Sequence, residues 1–330
     1  MSSGGAFVQA SWGTTRERGA LFMMRLMVIA LKLLARPITV PIVHAATCYF
    51  FLFGRRHRAI SREYLRRVIR RFPDCGLAAD ALGVYRHHVA FGHAIVDKLD
   101  AWSGRLGYDQ VTFVNLAAMK AAAVAERGTL IIGSHLGNLE VCRAFARLHR
   151  RVRLNVLVHM RRAAYFTRAL AMAGASELEL FQVTELDAAT ALKLKERIDR
   201  GEWVVIAGDR VPLHGGRTVD VQFLGETAPL PVGPYVLAAL LECPVHLLFC
   251  LRHAGRNHVY FERFAERIEW QRAQRDARIA QEAQRFAARL EHYVSMEPLQ
   301  WFNFYPFWRK SCDSASTQRT SMASSEHERT

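Results

Sequence analysis

Residues 129–140 read TLIIGSHLGNLE. The apolar run TLIIG has the length and branching of a short buried strand, and Ser134 and His135 follow where that strand must end. Asn138 and Glu140 then suit the first turn of a helix. The same rhythm recurs downstream. LNVLVH (154–159), ELELFQV (177–183) and WVVIAGD (203–209) are short β-like runs separated by helical segments, one of which ends near Arg200. VDVQFL (219–224), a helix at 232–242 and VHLLFCLR (245–252) continue the pattern, and a long charged helix over 268–293 follows. Strands alternating with helices predict an α/β fold, a largely parallel sheet covered by helices. No internal repeat interrupts it.

This frame places His135 at a strand end, where open α/β sheets collect their sites. A helix beginning near Gly137 or Asn138 sets Glu140 in its first turn, and a short loop can bring the imidazole back to that carboxylate. A carboxylate on one ring nitrogen fixes the tautomer and leaves the other nitrogen to take a proton from a hydroxyl. The spacing equally suits a plain polar turn, in which Ser134 or Asn138 caps the helix and Glu140 complements its dipole.

The chain has 330 residues, half of them hydrophobic, and a formal net charge of +15. That excess of cations calls for an anionic partner: nucleic acid, an anionic membrane, or an anionic substrate or carrier. The arginines form no nucleic-acid-binding motif, and the most basic segment adjoins the most apolar one, which suits a membrane. The six cysteines are scattered without a CxxC and read as small core residues in a reducing compartment. His87, His88 and His93 lack the carboxylates or thiols of a metal site, and no metal is expected.

Residues 21–53 are the most hydrophobic stretch. Arg25, Lys32 and Arg36 share one narrow face of a helix with ~3.6 residues per turn. A thin basic stripe on a broad apolar surface suits a membrane interface, and Pro37 should end or kink that helix. Residues 38–53 are almost purely apolar, slightly short for a span, and lead into GRRHR; they can span, re-enter, or pair with the first half. RAISREYLRRVIRRF (58–72) is a basic amphipathic helix with Ile60, Tyr64, Leu65, Val68 and Phe72 on its apolar side. Another helical stretch covers 76–99. The polar, Ser/Thr-rich end from residue 311 reads as a disordered tail.

With HLGNLE in place, other segments narrow the reading: WGTTRERGA (12–20), CYFFLFGRRHRAISREYLRRV (48–68), AGDRVP (207–212) and WFNFYPFW (301–308). As a set, from about Trp12 to Trp308, they resemble the bacterial lipid A biosynthesis (lauroyl/myristoyl) acyltransferases, within the glycerolipid and lysophospholipid acyltransferase superfamily. The resemblance implies a lead over 1–20, a membrane-associated helix or hairpin over 21–57, an acyltransferase domain over 58–310 and the tail over 311–330. It implies a glycerolipid-acyltransferase-like fold at the cytoplasmic face of the inner membrane.

The implied reaction moves a fatty acyl chain from acyl carrier protein or coenzyme A to a hydroxyl of a lipid or glycolipid, without a cofactor. His135 maps onto the general base and Glu140 onto its acidic partner. Asp209 and Arg210 match a Gly-Asp-Arg element, and Arg161 or Arg162 matches an arginine that follows the next strand. These four, with Ser134 and Asn138, are the candidates for substrate binding. Asp209 can orient Arg210, pair with it as a buried salt bridge, or cap a turn. Arg210 can hold a phosphate or, with backbone amides at the helix start, stabilise an oxyanion. The aromatics of WFNFYPFW suit core packing or an acyl channel. Two other readings use the same residues: the same chemistry on another acceptor, such as a glycerolipid, an amino-acid lipid or a polyene pigment precursor, and a non-catalytic membrane scaffold. No nucleic-acid partner is expected.

Overall fold

The computed structural model describes residues 36–102, 105–107, 110–139, 141, 152–158, 179–182, 188–210 and 216–308. Three helices come first: α1 (Arg36–Phe53), α2 (Arg55–Arg71) and α3 (Ala81–Trp102). Then follow β1 (Val111–Val114), α4 (Leu116–Val124), β2 (Leu130–Gly133), β3 (Leu154–Val158) and β4 (Glu179–Gln182). The remainder is α5 (Ala188–Asp199), β5 (Trp203–Ala207), β6 (Thr218–Phe223), β7 (Glu226–Pro231), α6 (Gly233–Leu241), β8 (Val245–His253), β9 (Arg256–Ala265) and α7 (Arg275–Met296).

Seven strands form one sheet in the order β1-β9-β8-β2-β5-β3-β4. Every neighbouring pair is parallel except β8 and β9, which join as an antiparallel hairpin. The predicted mixed α/β, mostly parallel architecture is therefore present. β2 lies at the centre and all four of its residues are buried, the pattern of a strand covered on both faces. Leu130 and Ile132 pack into one large core with Phe249, Phe286 and Leu290. Ile131 packs on the other face with Trp203, Val259 and Phe261.

Two departures from the sequence reading stand out. VDVQFL joins no parallel sheet: β6 pairs with β7 in a separate antiparallel hairpin. Its turn residues, Leu224 and Gly225, both have positive φ, as a two-residue hairpin turn of this hand demands. β9 is also additional. Its alternating burial follows a turn at Ala254-Gly255, again at positive φ.

α1 continues from Pro37 to Phe53, and the stretch that Pro37 is expected to end or kink lies, up to residue 35, outside the described residues. Among the described residues no helix is long and apolar enough to cross a membrane. α1 instead packs along α3, where Gly92 admits Val43 and Thr47 so closely that a Cβ would lie 2.6 Å from Val43 Cγ1. Residues 1–35 and 309–330, hence the first half of the hydrophobic stretch and the proposed tail, lie outside the described residues. α2 buries Ile60, Tyr64, Leu65 and Val68, the face that its periodicity marks, while Phe72 is half-buried just past its end. Its C-terminal half is tied down by ion pairs from Arg67 and Arg70 to Glu226 and from Arg71 to Glu291.

Candidate active site

β2 and β5 run side by side and parallel, with Gly133 opposite Ala207. Two residues beyond each of these stand His135 and Asp209. Register alone thus brings them together at the carboxyl end of the sheet. Gly208 N–H donates to Gly133 O at 2.8 Å and extends the pairing into the turn. Only glycine fits at 208, because an added Cβ would stand 2.7 Å from Ile132 Cγ2 and 2.8 Å from Phe286 Cζ.

His135 Nδ1 lies 2.8 Å from Asp209 Oδ1, and the His135 backbone N–H donates to Oδ2 at 2.8 Å. The Trp301 indole N–H donates to the same Oδ2 at 2.9 Å. Asp209 has no exposed side-chain surface, whereas a third of the His135 side chain remains exposed. Burial pushes the Asp209 carboxyl up, but His135 beside it and the hydrogen bonds from His135 and Trp301 outweigh burial. The carboxyl is held below its ordinary value. An ionised Asp209 assigns the proton of a neutral His135 to Nδ1 and leaves the Nε2 lone pair free to accept one.

The turn after His135 is held at every backbone donor. Leu136 N–H donates to Ser134 Oγ at 3.1 Å, Gly137 N–H to Gln300 O at 2.8 Å and Asn138 N–H to Cys250 O at 2.8 Å. Phe302 N–H donates to His135 O at 3.0 Å. Gly137 has φ of +71°, and a Cβ there would stand 1.9 Å from Cys250 O. The Asn138 side chain donates to Ala94 O of α3 at 3.1 Å. Ser134 and Asn138 are both buried and both hold the turn.

The sequence reading assigned the amides of this turn to an oxyanion. The N–H groups of residues 135 to 138 all donate to acceptors within the protein, which leaves that role to amides further into the helix. At Nδ1 the structure places Asp209, a partner that the sequence reading did not assign. Asp209 itself neither pairs with Arg210 nor merely caps a turn. The Arg210 guanidinium stands over the Tyr305 ring, 5.5 Å from its centroid, and Tyr305 Oη donates to Asp209 O at 3.3 Å. Glu140, Arg161 and Arg162 lie outside the described residues.

Trp301 is the residue that sequence reasoning missed as a site component. WFNFYPFW read as core or channel, and Trp301 is indeed fully buried among Tyr64, Phe223 and Phe307. Nothing local marks its indole N–H as a partner of Asp209, because the two meet only through the fold.

The chain matches the family model of the bacterial lipid A biosynthesis acyltransferases over residues 13–310, and it belongs to that family. A comparison with curated proteins finds no match.

Proposed function

We propose that this acyltransferase-family member is a membrane-bound O-acyltransferase acting on a lipid A-like glycolipid. It takes a fatty acyl chain from a thioester carried by acyl carrier protein or coenzyme A, and it uses His135 as general base. The observation that carries the reading is the partly exposed imidazole fixed by buried Asp209 at the carboxyl ends of adjacent parallel strands.

In this reaction the acceptor hydroxyl gives its proton to His135 Nε2 as its oxygen bonds to the thioester carbonyl carbon. Asp209 steadies the imidazolium. The tetrahedral intermediate collapses with loss of the C–S bond, and the imidazolium proton passes to the departing thiolate. With the N–H groups of residues 135 to 138 engaged, the oxyanion goes to a side-chain cation together with amides further into the helix start. Arg210 is our assignment, beside Asp209 and braced on Tyr305. The resemblance adds Glu140 and one of Arg161 and Arg162 to the site, and Ser134 and Asn138 shape its floor. No metal or cofactor takes part in the proposed steps.

The placement at the cytoplasmic face of the inner membrane rests on α1 and α2. Tyr49, Phe50, Leu52 and Phe53 are exposed at the end of α1, directly before Arg55 and Arg56. Arg62 and Arg66 continue the basic face, and none of these four arginines has an acidic partner among the described residues. Aromatic side chains beside unpaired cations suit an anionic headgroup layer. α3, which packs on α1, touches the site through the Asn138 bond to Ala94.

The test is acyl transfer in detergent micelles with labelled acyl carrier protein and extracted lipid, comparing the native protein with His135→Ala. A labelled glycolipid made by the first and lost in the second is the expected result. Equal labelling by both would remove His135 from the chemistry.

A further inference from the structure

Behind the imidazole and its carboxylate stands a line of buried polar groups that the reaction above does not use. Trp301 Nε1–H donates to Asp209 Oδ2, the oxygen turned away from the His135 ring. The Trp301 carbonyl lies 3.1 Å from His87 Nε2, and His87 Nδ1 lies 2.7 Å from Ser61 Oγ. His87 and Ser61 are each about 1% exposed, on α3 and α2 respectively. A carbonyl can only accept, so the His87 proton is on Nε2, and the Ser61 hydroxyl donates to Nδ1. Burial pushes the His87 pKa down to about 3, which keeps this tautomer neutral. The chain of bonds therefore has one direction of donation: Ser61 to His87, His87 to the Trp301 backbone, Trp301 indole to Asp209.

A tryptophan buried for packing alone does not need its N–H aimed at a carboxylate. Here the ring is held by Tyr64, Phe223 and Phe307, and the backbone by His87 on one side and by the bridge between Leu136 and Trp301 on the other. That leaves the indole little freedom to turn. A carboxylate with one donor per oxygen can still rotate about its Cα–Cβ–Cγ bonds. Asp209 has two donors on Oδ2, and its fixed plane leaves Oδ1 aimed at Nδ1.

We infer that Trp301 is a positioning residue: its indole N–H, anchored through its carbonyl by His87, fixes Asp209 so that Oδ1 orients His135 for proton transfer. This inference rests on the proposed general-base role of His135 for its kinetic consequence, but its geometric content stands apart from activity.

The experiment uses the full chain in detergent. Trp301→Phe keeps a buried aromatic ring and removes the donor. Loss of a hydrogen bond to a charged group predicts a fall in kcat of about 10- to 100-fold with KM nearly unchanged. In an Asp209→Ala background the same substitution should have no further effect. Leu241→Ala is the packing control, since Leu241 is fully buried in the same core but at the end of α6, where its carbonyl meets Arg127 ahead of β2; it should lower the melting temperature and leave kcat in place. A kcat loss that persists in the Asp209→Ala background, or one that Leu241→Ala reproduces at equal destabilisation, would overturn the inference. The second readout needs no turnover. In ¹⁵N-histidine-labelled protein the low-field Nδ1–H proton of His135, identified by its loss in His135→Gln, should broaden or vanish in Trp301→Phe. An unchanged resonance would also overturn the inference. Failure of the proposed reaction would show separately, as transfer that does not depend on His135 while the resonance still responds to Trp301.

Discussion

His135 Nδ1 and Asp209 Oδ1 lie 2.8 Å apart although 74 positions separate the two residues in the chain. One carboxylate accepts both the ring and the backbone N–H of the same histidine, so the side chain and the turn carrying it are fixed together.

This geometry sets the ranking of variants. His135→Gln should lower acyl transfer by about 10³-fold or more, within the range that general acid–base catalysis supplies. Asp209→Asn keeps the shape and loses the charge, and its loss should lie between about 10²- and 10⁴-fold. Initial rates at saturating acyl donor check both. An Asp209→Asn enzyme as fast as the native one would detach the carboxylate from the chemistry.

Gly137→Ala should damage the site without touching a titratable group. The left-handed backbone costs a non-glycine residue about 1–2 kcal/mol. The new Cβ would also stand 1.9 Å from Cys250 O, which belongs to β8, paired on both sides in the sheet, and cannot swing aside. The bond from Asn138 N–H to Cys250 O must then stretch, and His135 moves with the turn. Thermal melting and transfer rate should both fall; a variant with native values of each would show that the turn tolerates a side chain.

The buried histidines make stability depend on pH. His87 titrates at about 3 in the folded chain, and burial pushes His246 down to about 4, against an ordinary value of 6.5. Below about 6.5 the unfolded chain binds protons that the folded one refuses. The stabilisation is therefore complete above that value and is lost as pH falls towards 3. Fully buried His87 contributes about 1.4 kcal/mol per pH unit in this window, and the less buried His246 contributes less. Melting curves between about pH 7 and pH 5 should shift steeply downward in the native protein and less so in His87→Gln. Equal slopes in the two proteins would mean that His87 titrates normally in the fold.

The exposed corner of α1 and α2 predicts how the protein meets lipid. Neutralising Arg55, Arg62 and Arg66 to Gln should weaken binding to anionic vesicles by about 1 kcal/mol per cation at low salt, and the difference should shrink as salt rises. Phe50→Ser with Phe53→Ser should weaken binding at every salt concentration, because apolar insertion is not screened. Vesicle flotation of the full chain separates the two effects. Salt-independent, unaltered binding in both variants would move the lipid contact away from this corner.

Much of this architecture is legible in the residues themselves. TLIIG, LNVLV and WVVIA announce short buried strands, and the polar break after Gly133 places His135 at a strand end. Burial periodicity marks the apolar face of α2. These signals are local: residues close in sequence share one periodicity and one environment. The partner of His135 is not local. Asp209 lies 74 positions away in the chain and reaches the imidazole because β5 is the neighbour of β2 with Gly133 opposite Ala207. The same holds for Trp301 and His87, which come from opposite ends of the domain and meet beneath the site. Strand order and register are settled by packing two faces of one sheet at once, an energy summed over the whole core. That is why the sequence alone determines the histidine and its strand, and only the tertiary structure decides which groups hold it.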